Sequence, residues 1–312
     1  MARNLKWGIN IDKCRICFKQ PQDLFERLYN SKNNLIDLGD GYSLYICREE
    51  EEKGEEIPTN LIVNVLLSHW EENFLFGHFN FTNSKKYEGL CWLTMENKSL
   101  YYYHSLGYFT FVSVIYTLMN ALGLEYNNIT ELELALDTTK NMVKATRQLI
   151  KDHRNIEMVY NGKIITDPSK RLPFYGVHYG SSRIKLLSAP TLYFRQTKDN
   201  APKMKIYSKS VEIEEERGKK DYITQWNDFG KMPIYRVEIT LKNESLKEVW
   251  EKYGNLHFPP RGEQDKHHAP NLLNMLDDPF TLEWLWREFS NRILTFNTSQ
   301  GEKITLFDLA TR

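Results

Sequence analysis

The chain of 312 residues contains no apolar run approaching the roughly 20 residues needed to cross a bilayer as a helix. Its first residues, Met1-Ala-Arg-Asn-Leu-Lys-Trp7, carry no apolar segment of the kind that marks a secretory signal. From these two absences a cytoplasmic protein with no membrane partner is expected. Cysteine is scarce: Cys14, Cys17, Cys47 and Cys91 are too few to staple a chain of this length, and reduced thiols are expected. Cys14 and Cys17 have the spacing of half a zinc site, but no second close pair completes it. Net charge is also missing, with 41 basic and 41 acidic side chains. That balance counts against a uniformly basic nucleic-acid binder. It leaves room for a local basic face, because a phosphate senses charges within a Debye length of roughly 8 Å. No fixed-period repeat or low-complexity tail is present, and the length allows one large domain or two modest ones.

What the chain does contain is strand-like alternation. Gly41–Cys47, Thr59–Ser68, Asn73–Thr82, Leu90–Thr94 and Ser99–His104 read as strands bounded by turn residues. The acidic segment Arg48–Glu56 reads as a solvated hairpin connection. Phe109–Leu122 followed by Gly123 reads as a helix with a glycine stop. Asn127–Thr130 reads as a turn, Leu132–Thr138 as a strand and Thr139–Asp152 as a helix. Short strands follow at Met158–Tyr160, Phe174–Tyr179, Thr191–Gln196 and Met204–Lys209. Val211–Gly218 reads as a helix or loop lying over the site, Met232–Lys242 as a strand, and Ser245–Tyr253 and Pro279–Leu294 as helices. The fold class expected is α+β, an antiparallel sheet flanked by helices. Three segments are expected: a strand-rich 1–70, separate or part of the same domain, a catalytic 71–250, and a helical 251–312.

Three of these strands carry the chemistry. Alternation sends Glu131, Glu133 and Asp137 to one face and Leu132, Leu134 and Leu136 to the other. It likewise gathers Lys205, Tyr207 and Lys209, and sets Arg236, Glu238 and Lys242 against Tyr235, Val237 and Ile239. If the polar faces share one side of a sheet, they assemble carboxylates, lysines and a tyrosine, an inventory for metal-assisted phosphoryl transfer. Clustered acids under partial cover repel one another unless a cation joins them. Oxygen ligands point to Mg2+ or Mn2+. Lysines beside a phenol lower its pKa and hold a phosphate. The turn at His178-Tyr-Gly-Ser-Ser-Arg183 with Lys185 offers amides and charges for phosphate contact. A histidine–hydrophobic–histidine motif is absent, so a metal site built on histidine has no support.

The order of these motifs, with Asp137 closing the acidic strand, then Tyr179–Arg183, Ile206-Tyr-Ser-Lys-Ser210 and Arg236-Val-Glu-Ile239, resembles the Rep_trans replication initiation factors of rolling-circle plasmids and integrative transposons. The resemblance covers roughly Asn73 to Trp250. It implies an antiparallel sheet related to the histidine–hydrophobic–histidine nucleases, with carboxylates as metal ligands. It further implies that Tyr207 nicks origin DNA through a tyrosine–5′-phosphate intermediate, helped by Lys209 and Arg236. Glu133, Glu238 and Asp137 would hold Mg2+ or Mn2+, and Arg183, Lys185 and Lys205 would contact DNA. The implied partners are origin DNA, single-stranded or extruded at the nick, a host helicase and a second copy of the chain. Two positions depart from the pattern: Glu131 stands where family members carry arginine, and Ser208 where they carry Asp or Asn. The rival readings are a non-catalytic origin-binding protein and a metal-dependent nuclease that uses water as nucleophile.

Overall fold

A computed structural model describes residues 5–47, 58–69, 72–106, 111–166, 177–179, 182–184, 191–194, 200–215, 220–257, 273, 276 and 278–312. In chain order the elements begin with β1 (Trp7–Lys19), α1 (Leu24–Tyr29), β2 (Leu35–Gly39), β3 (Tyr42–Cys47), β4 (Asn60–His69), β5 (Glu72–Thr82) and β6 (Leu90–Met95). They continue with α2 (Asn97–Leu106), α3 (Phe111–Leu122), β7 (Glu125–Thr138), α4 (Met142–Lys151), β8 (Ile156–Tyr160), β9 (Lys163–Ile165), β10 (Val177–Tyr179) and β11 (Ser182–Ile184). The remainder is β12 (Leu192–Phe194), β13 (Lys203–Ser208), α5 (Lys209–Glu215), α6 (Tyr222–Asn227), β14 (Tyr235–Lys242), α7 (Asn243–His257), α8 (Pro279–Ile293), β15 (Leu294–Thr298), β16 (Lys303–Thr305) and α9 (Leu306–Thr311). This is an α+β chain built on a large antiparallel sheet, and no described helix is long and apolar enough to cross a membrane.

The chain divides into two compact units. The first comprises Met1–Asp12, Glu133–Val249 and Asp278–Arg312, and the second Lys13–Leu132 and Trp250–Asp277. The boundaries between the units fall within β1 and β7.

In the first unit the strand order is β12–β13–β14–β7–β1. One face of these strands is apolar because alternation is strict: Met204 and Ile206 on β13, Val237 and Ile239 on β14, and Leu134 and Leu136 on β7 are at most 1% exposed. Helix α8 packs on β13 and β14, and the Trp286 indole donates to the carbonyl of Val237 at 3.2 Å. Truncating such a tryptophan costs about 3–5 kcal/mol. Helix α4 also packs on these strands and starts at Asn141, whose side chain accepts the amide of Lys144 at 2.9 Å. A second sheet, β16–β15–β8–β9, belongs to the same unit. Helix α9 is started by a reciprocal capping box between Thr305 and Asp308.

The second unit orders its strands β7–β1–β6–β5–β4–β3–β2, with a register shift between Val65 and Leu66 where β4 meets β5. Two expectations fail here. Ser99–His104 lies in helix α2, not a strand: the amides of Ser99 and Leu100 both turn back to the carbonyl of Glu96, at 3.0 and 3.2 Å. Leu100 and Tyr101 are buried there, so tertiary packing overrides the strand preference of the aromatic run. Asn127–Thr130 is strand, not turn. The Thr130 hydroxyl donates to the carbonyl of Arg15 at 3.1 Å, and pairing with β1 outweighs the local preference of two asparagines. The helix before Gly123 ends as expected, with Gly123 at φ +67°. The acidic segment Arg48–Glu56 lies outside the described residues, and the strands on either side of it pair antiparallel.

Candidate active site

The polar face of the first unit is set by register. β13 and β14 place Lys205 directly opposite Glu238 and Tyr207 opposite Arg236. The Tyr207 hydroxyl, half-buried, donates to Glu238 Oε2 at 2.9 Å, and Lys205 closes a short ion pair on Glu238 Oε1. Glu133, on the neighbouring β7, accepts from the Thr240 hydroxyl at 3.1 Å. Asp12, at the end of the first unit's part of β1, completes a group. Asp12, Glu133 and Glu238 each offer a carboxylate oxygen within 4.8 Å of the others.

Four of the expected participants therefore meet: Glu133, Glu238, Tyr207 and Lys205. Asp137 does not join the ligand group. A strand rises about 3.3 Å per residue, which puts Asp137 roughly 13 Å along β7 from Glu133, beyond the reach of a shared ion. Its carboxylate instead grips the Arg236 guanidinium in a fork, Oδ1 to Nε at 2.6 Å and Oδ2 to Nη2 at 2.7 Å. Arg236 spends a further donor on Asp12 at 2.5 Å, and its side chain is 0% exposed. Expected to help Tyr207, Arg236 is enclosed by carboxylates, and its geometry suits aiming Asp12. Lys209 also departs from its expected place on the strand face. β13 ends at Ser208, and Lys209 opens α5 with a side chain 2% exposed, bonded to both carboxylate oxygens of Glu212 at 3.0 Å. Lys220 shares Glu212 at 2.7 Å. The Lys209 ammonium stands 5.7 Å from the centroid of the Tyr207 ring, within range of its π cloud. Arg183 sits on β11 opposite His178; its side chain, and all of Lys185, lie outside the described residues.

Electrostatics follow from this packing. Burial, reinforced by the charge of Glu238, raises the Tyr207 phenol well above its usual value, with Arg236 acting the other way. Burial, then the charge of Arg236, pushes Lys209 down. Lys205 is raised, since Glu238 outweighs the burial that would lower it. Glu212 is lowered, its two lysines overcoming burial. The fit to a metal rests on the donor set. Asp12, Glu133 and Glu238 form an all-oxygen group that suits a hard divalent cation such as Mg2+ or Mn2+. Lys205 pairs with Glu238 and Arg236 with Asp12, so the group is held in place by cations on either side.

Asp12 was missing from the sequence inventory. Its signal was present in Ile9-Asn-Ile-Asp12, where apolar β-branched residues alternate with polar ones as on the other three strands. Tyr235 points away from the acids, since it sits one residue from Arg236 on a strand; its hydroxyl accepts from Asn141 at 2.9 Å.

Comparison of the sequence with models of protein families and with curated proteins finds no match. Among solved structures, the chain is similar to a rolling circle replication initiator protein from Geobacillus stearothermophilus, with a TM-score of 0.41 and 15% sequence identity over 85% of each chain.

Proposed function

We propose that this chain is a replication initiator of the rolling-circle type, which nicks and rejoins origin DNA with Tyr207 as nucleophile. One observation carries the reading: the Tyr207 hydroxyl is hydrogen-bonded at 2.9 Å to Glu238, and Glu238 belongs to the three-carboxylate group with Asp12 and Glu133. A nucleophile and a cation site thus share one carboxylate.

A divalent cation held by Asp12, Glu133 and Glu238 would neutralise charge on the non-bridging oxygens of a phosphodiester. The chain's own residues account for the rest. Tyr207 gives its proton to Glu238 Oε2 as its oxygen bonds to phosphorus. The bond from phosphorus to the 3′ oxygen breaks, and that oxygen leaves as a hydroxyl after taking a proton from solvent. The DNA 5′-phosphate stays on the phenol, so attack by a 3′-hydroxyl later reseals the strand without an external energy source. Lys205, with 38% of its side chain exposed, both holds Glu238 and reaches toward a phosphate. Arg236 and Asp137 hold Asp12 in place. Lys209 presents its charge to the ring of Tyr207, an arrangement that favours phenolate as the proton leaves.

The test uses supercoiled DNA carrying the encoding element's own origin, with Mg2+ or Mn2+ and with chelator. The parent chain is expected to nick and to leave a protein–DNA adduct that survives denaturing electrophoresis. Tyr207→Phe is expected to lose the adduct and keep its affinity for DNA. An adduct formed by Tyr207→Phe would remove Tyr207 as nucleophile. Cleavage by that variant with no adduct would move the chemistry to water. Retained binding with no cleavage by the parent would leave an origin-binding protein.

A further inference from the structure

On the polar face of the first unit, one position breaks the pattern. Glu133, Ala135 and Asp137 share that face of β7, so a methyl group stands between two acids. Alanine is a weak strand former, yet Ala135 is 0% exposed, and its neighbours close over it.

Register fixes which neighbours these are. β14, β7 and β1 lie side by side in that order. Thr240 donates to Glu133 and Arg236 to Asp137, which sets Glu238 level with Ala135. On the other side, the amide of Thr139 donates to the carbonyl of Lys6 at 3.0 Å. Counting inward along both strands from that pair sets Asp12 level with Glu133 and Asn10 level with Ala135. Neighbouring strands are about 4.8 Å apart, so the backbones of β14 and β1 are separated by about 10 Å, with β7 between them. The carboxylates of Asp12 and Glu238 nevertheless come within 4.8 Å of each other, and Arg236 reaches Asp12 at 2.5 Å. Both approaches cross β7. The first passes between Glu133 and Ala135, and the second passes over Ala135 itself. A side chain branched at Cβ would stand in both paths.

Asn10 supplies an independent sign that this space takes a guest. It is 1% exposed, and its Nδ2 has no hydrogen-bond partner among the described residues. Buried polar groups are bonded as a rule, and an unmet one marks a place for an ion or a water. A half-turn of the amide presents its oxygen instead, a ligand that hard cations accept.

We infer that Ala135 is a positioning residue of the cation site: its methyl group is the floor over which Asp12 and Glu238 meet, and its small size sets the room left for a divalent ion. A larger residue would push Glu238 aside while leaving every carboxylate in the chain. The inference rests on reading Asp12, Glu133 and Glu238 as a metal site, and it does not need Tyr207 to be the nucleophile.

The experiment is calorimetric titration of the full chain with Mn2+, comparing the parent with Ala135→Gly and Ala135→Val, and urea midpoints are measured on each protein without metal. Ala135→Val should weaken Mn2+ binding about 10- to 100-fold, the loss that follows when groups orienting a ligand are disturbed. Ala135→Gly should bind Mn2+ as the parent does although its urea midpoint falls, because glycine weakens a strand without entering either path. Ala135→Cys adds a positive readout. A thiol at the edge of the ion should create a Cd2+ site with thiolate-to-metal absorption in the ultraviolet, above the background of the parent's four cysteines. Unchanged Mn2+ affinity in folded Ala135→Val overturns the inference. An equal loss in Ala135→Gly also overturns it, since affinity would then follow strand stability and not room. If Ala135→Val does not fold, the absence of new absorption in Ala135→Cys overturns it instead. Adduct formation by the parent, with Mn2+ binding unaltered in Ala135→Val, sinks this inference and leaves the nicking reading standing. No adduct from the parent, with Mn2+ binding weakened in Ala135→Val as expected, does the reverse.

Discussion

Two arginines show how differently the two sheet faces are built. Arg236 in the first unit is 0% exposed and meets Asp12 and Asp137 through three donors. Arg15 in the second unit lies on an aromatic ring and leaves its Nε unpartnered among the described residues. Both sit on alternating strands whose other face is hydrophobic core, so alternation alone does not decide what a polar face does. The density of carboxylates decides it. Where acids cluster, a cation must be enclosed with them, and the face becomes rigid and able to hold a metal. Where acids are sparser, the arginine settles on an aromatic ring instead.

The largest effect that would break this contrast is on stability. Arg236→Met removes the cation from a site where Asp137 is 0% exposed, and a buried charge stripped of its partner costs about 3–5 kcal/mol. Arg15→Gln removes no ion pair among the described residues and should cost about 0.5 kcal/mol or less, as for most surface changes. Urea midpoints of the two variants measure the difference. Equal midpoints would mean that Arg236 is not structurally committed and is available to substrate after all.

A smaller effect sharpens the assignment of the carboxylate group. Asp12→Asn and Glu133→Gln should each weaken Mn2+ binding by more than the roughly 10- to 100-fold that loss of an outer-shell partner costs, read by calorimetric titration. Saturating Mn2+ should raise the melting temperature of the parent, because a ligand bound by the folded state alone stabilises it. It should leave these variants nearly unmoved at the same concentration. Asp137→Asn offers the matched comparison: it should lose stability and weaken metal binding less than either ligand variant, since Asp137 acts only through Arg236. If Asp137→Asn proves the worst metal binder of the three, the ligand group is the one the sequence suggested, and Asp12 is a bystander.

Much of this site was legible before the fold. Glu133, Tyr207 and Glu238 lie on strands whose alternation is strict over several residues, and a period of two fixes which side chains share a face. Which strands are neighbours is not written locally. The meeting of Asp12 with Glu133 depends on β1 lying beside β7, a pairing across more than a hundred residues of chain. The separate roles of Glu133 and Asp137 depend on the rise along β7 relative to Arg236, which spacing on a single strand cannot convey. Lys209 was misplaced because β13 ends one residue earlier than its polar pattern does.

The smallest effect lies at alkaline pH, where the two units should respond with opposite sign. Burial pushes the Cys14 thiol, in the second unit, from 9.0 up to about 12. Its folded-state value lies above its unfolded one, so its contribution to stability is fully present below pH 9 and lost as the pH rises toward 12. One unit above the unfolded value the loss is about 1.4 kcal/mol. Lys209, in the first unit, is depressed by burial. The cost of keeping it charged in the folded state therefore eases as the pH rises through its lowered value. Between pH 9 and 10 the stability of Cys14→Ala should fall less steeply than that of the parent, whatever its absolute loss from the cavity. Lys209→Met should fall more steeply, having no cost left to relieve. Chemical denaturation at three pH values in that interval measures both slopes. Parallel curves for Cys14→Ala and the parent would show the thiol ionising freely in the folded chain, and the second unit's interior would then be wetter than its packing implies.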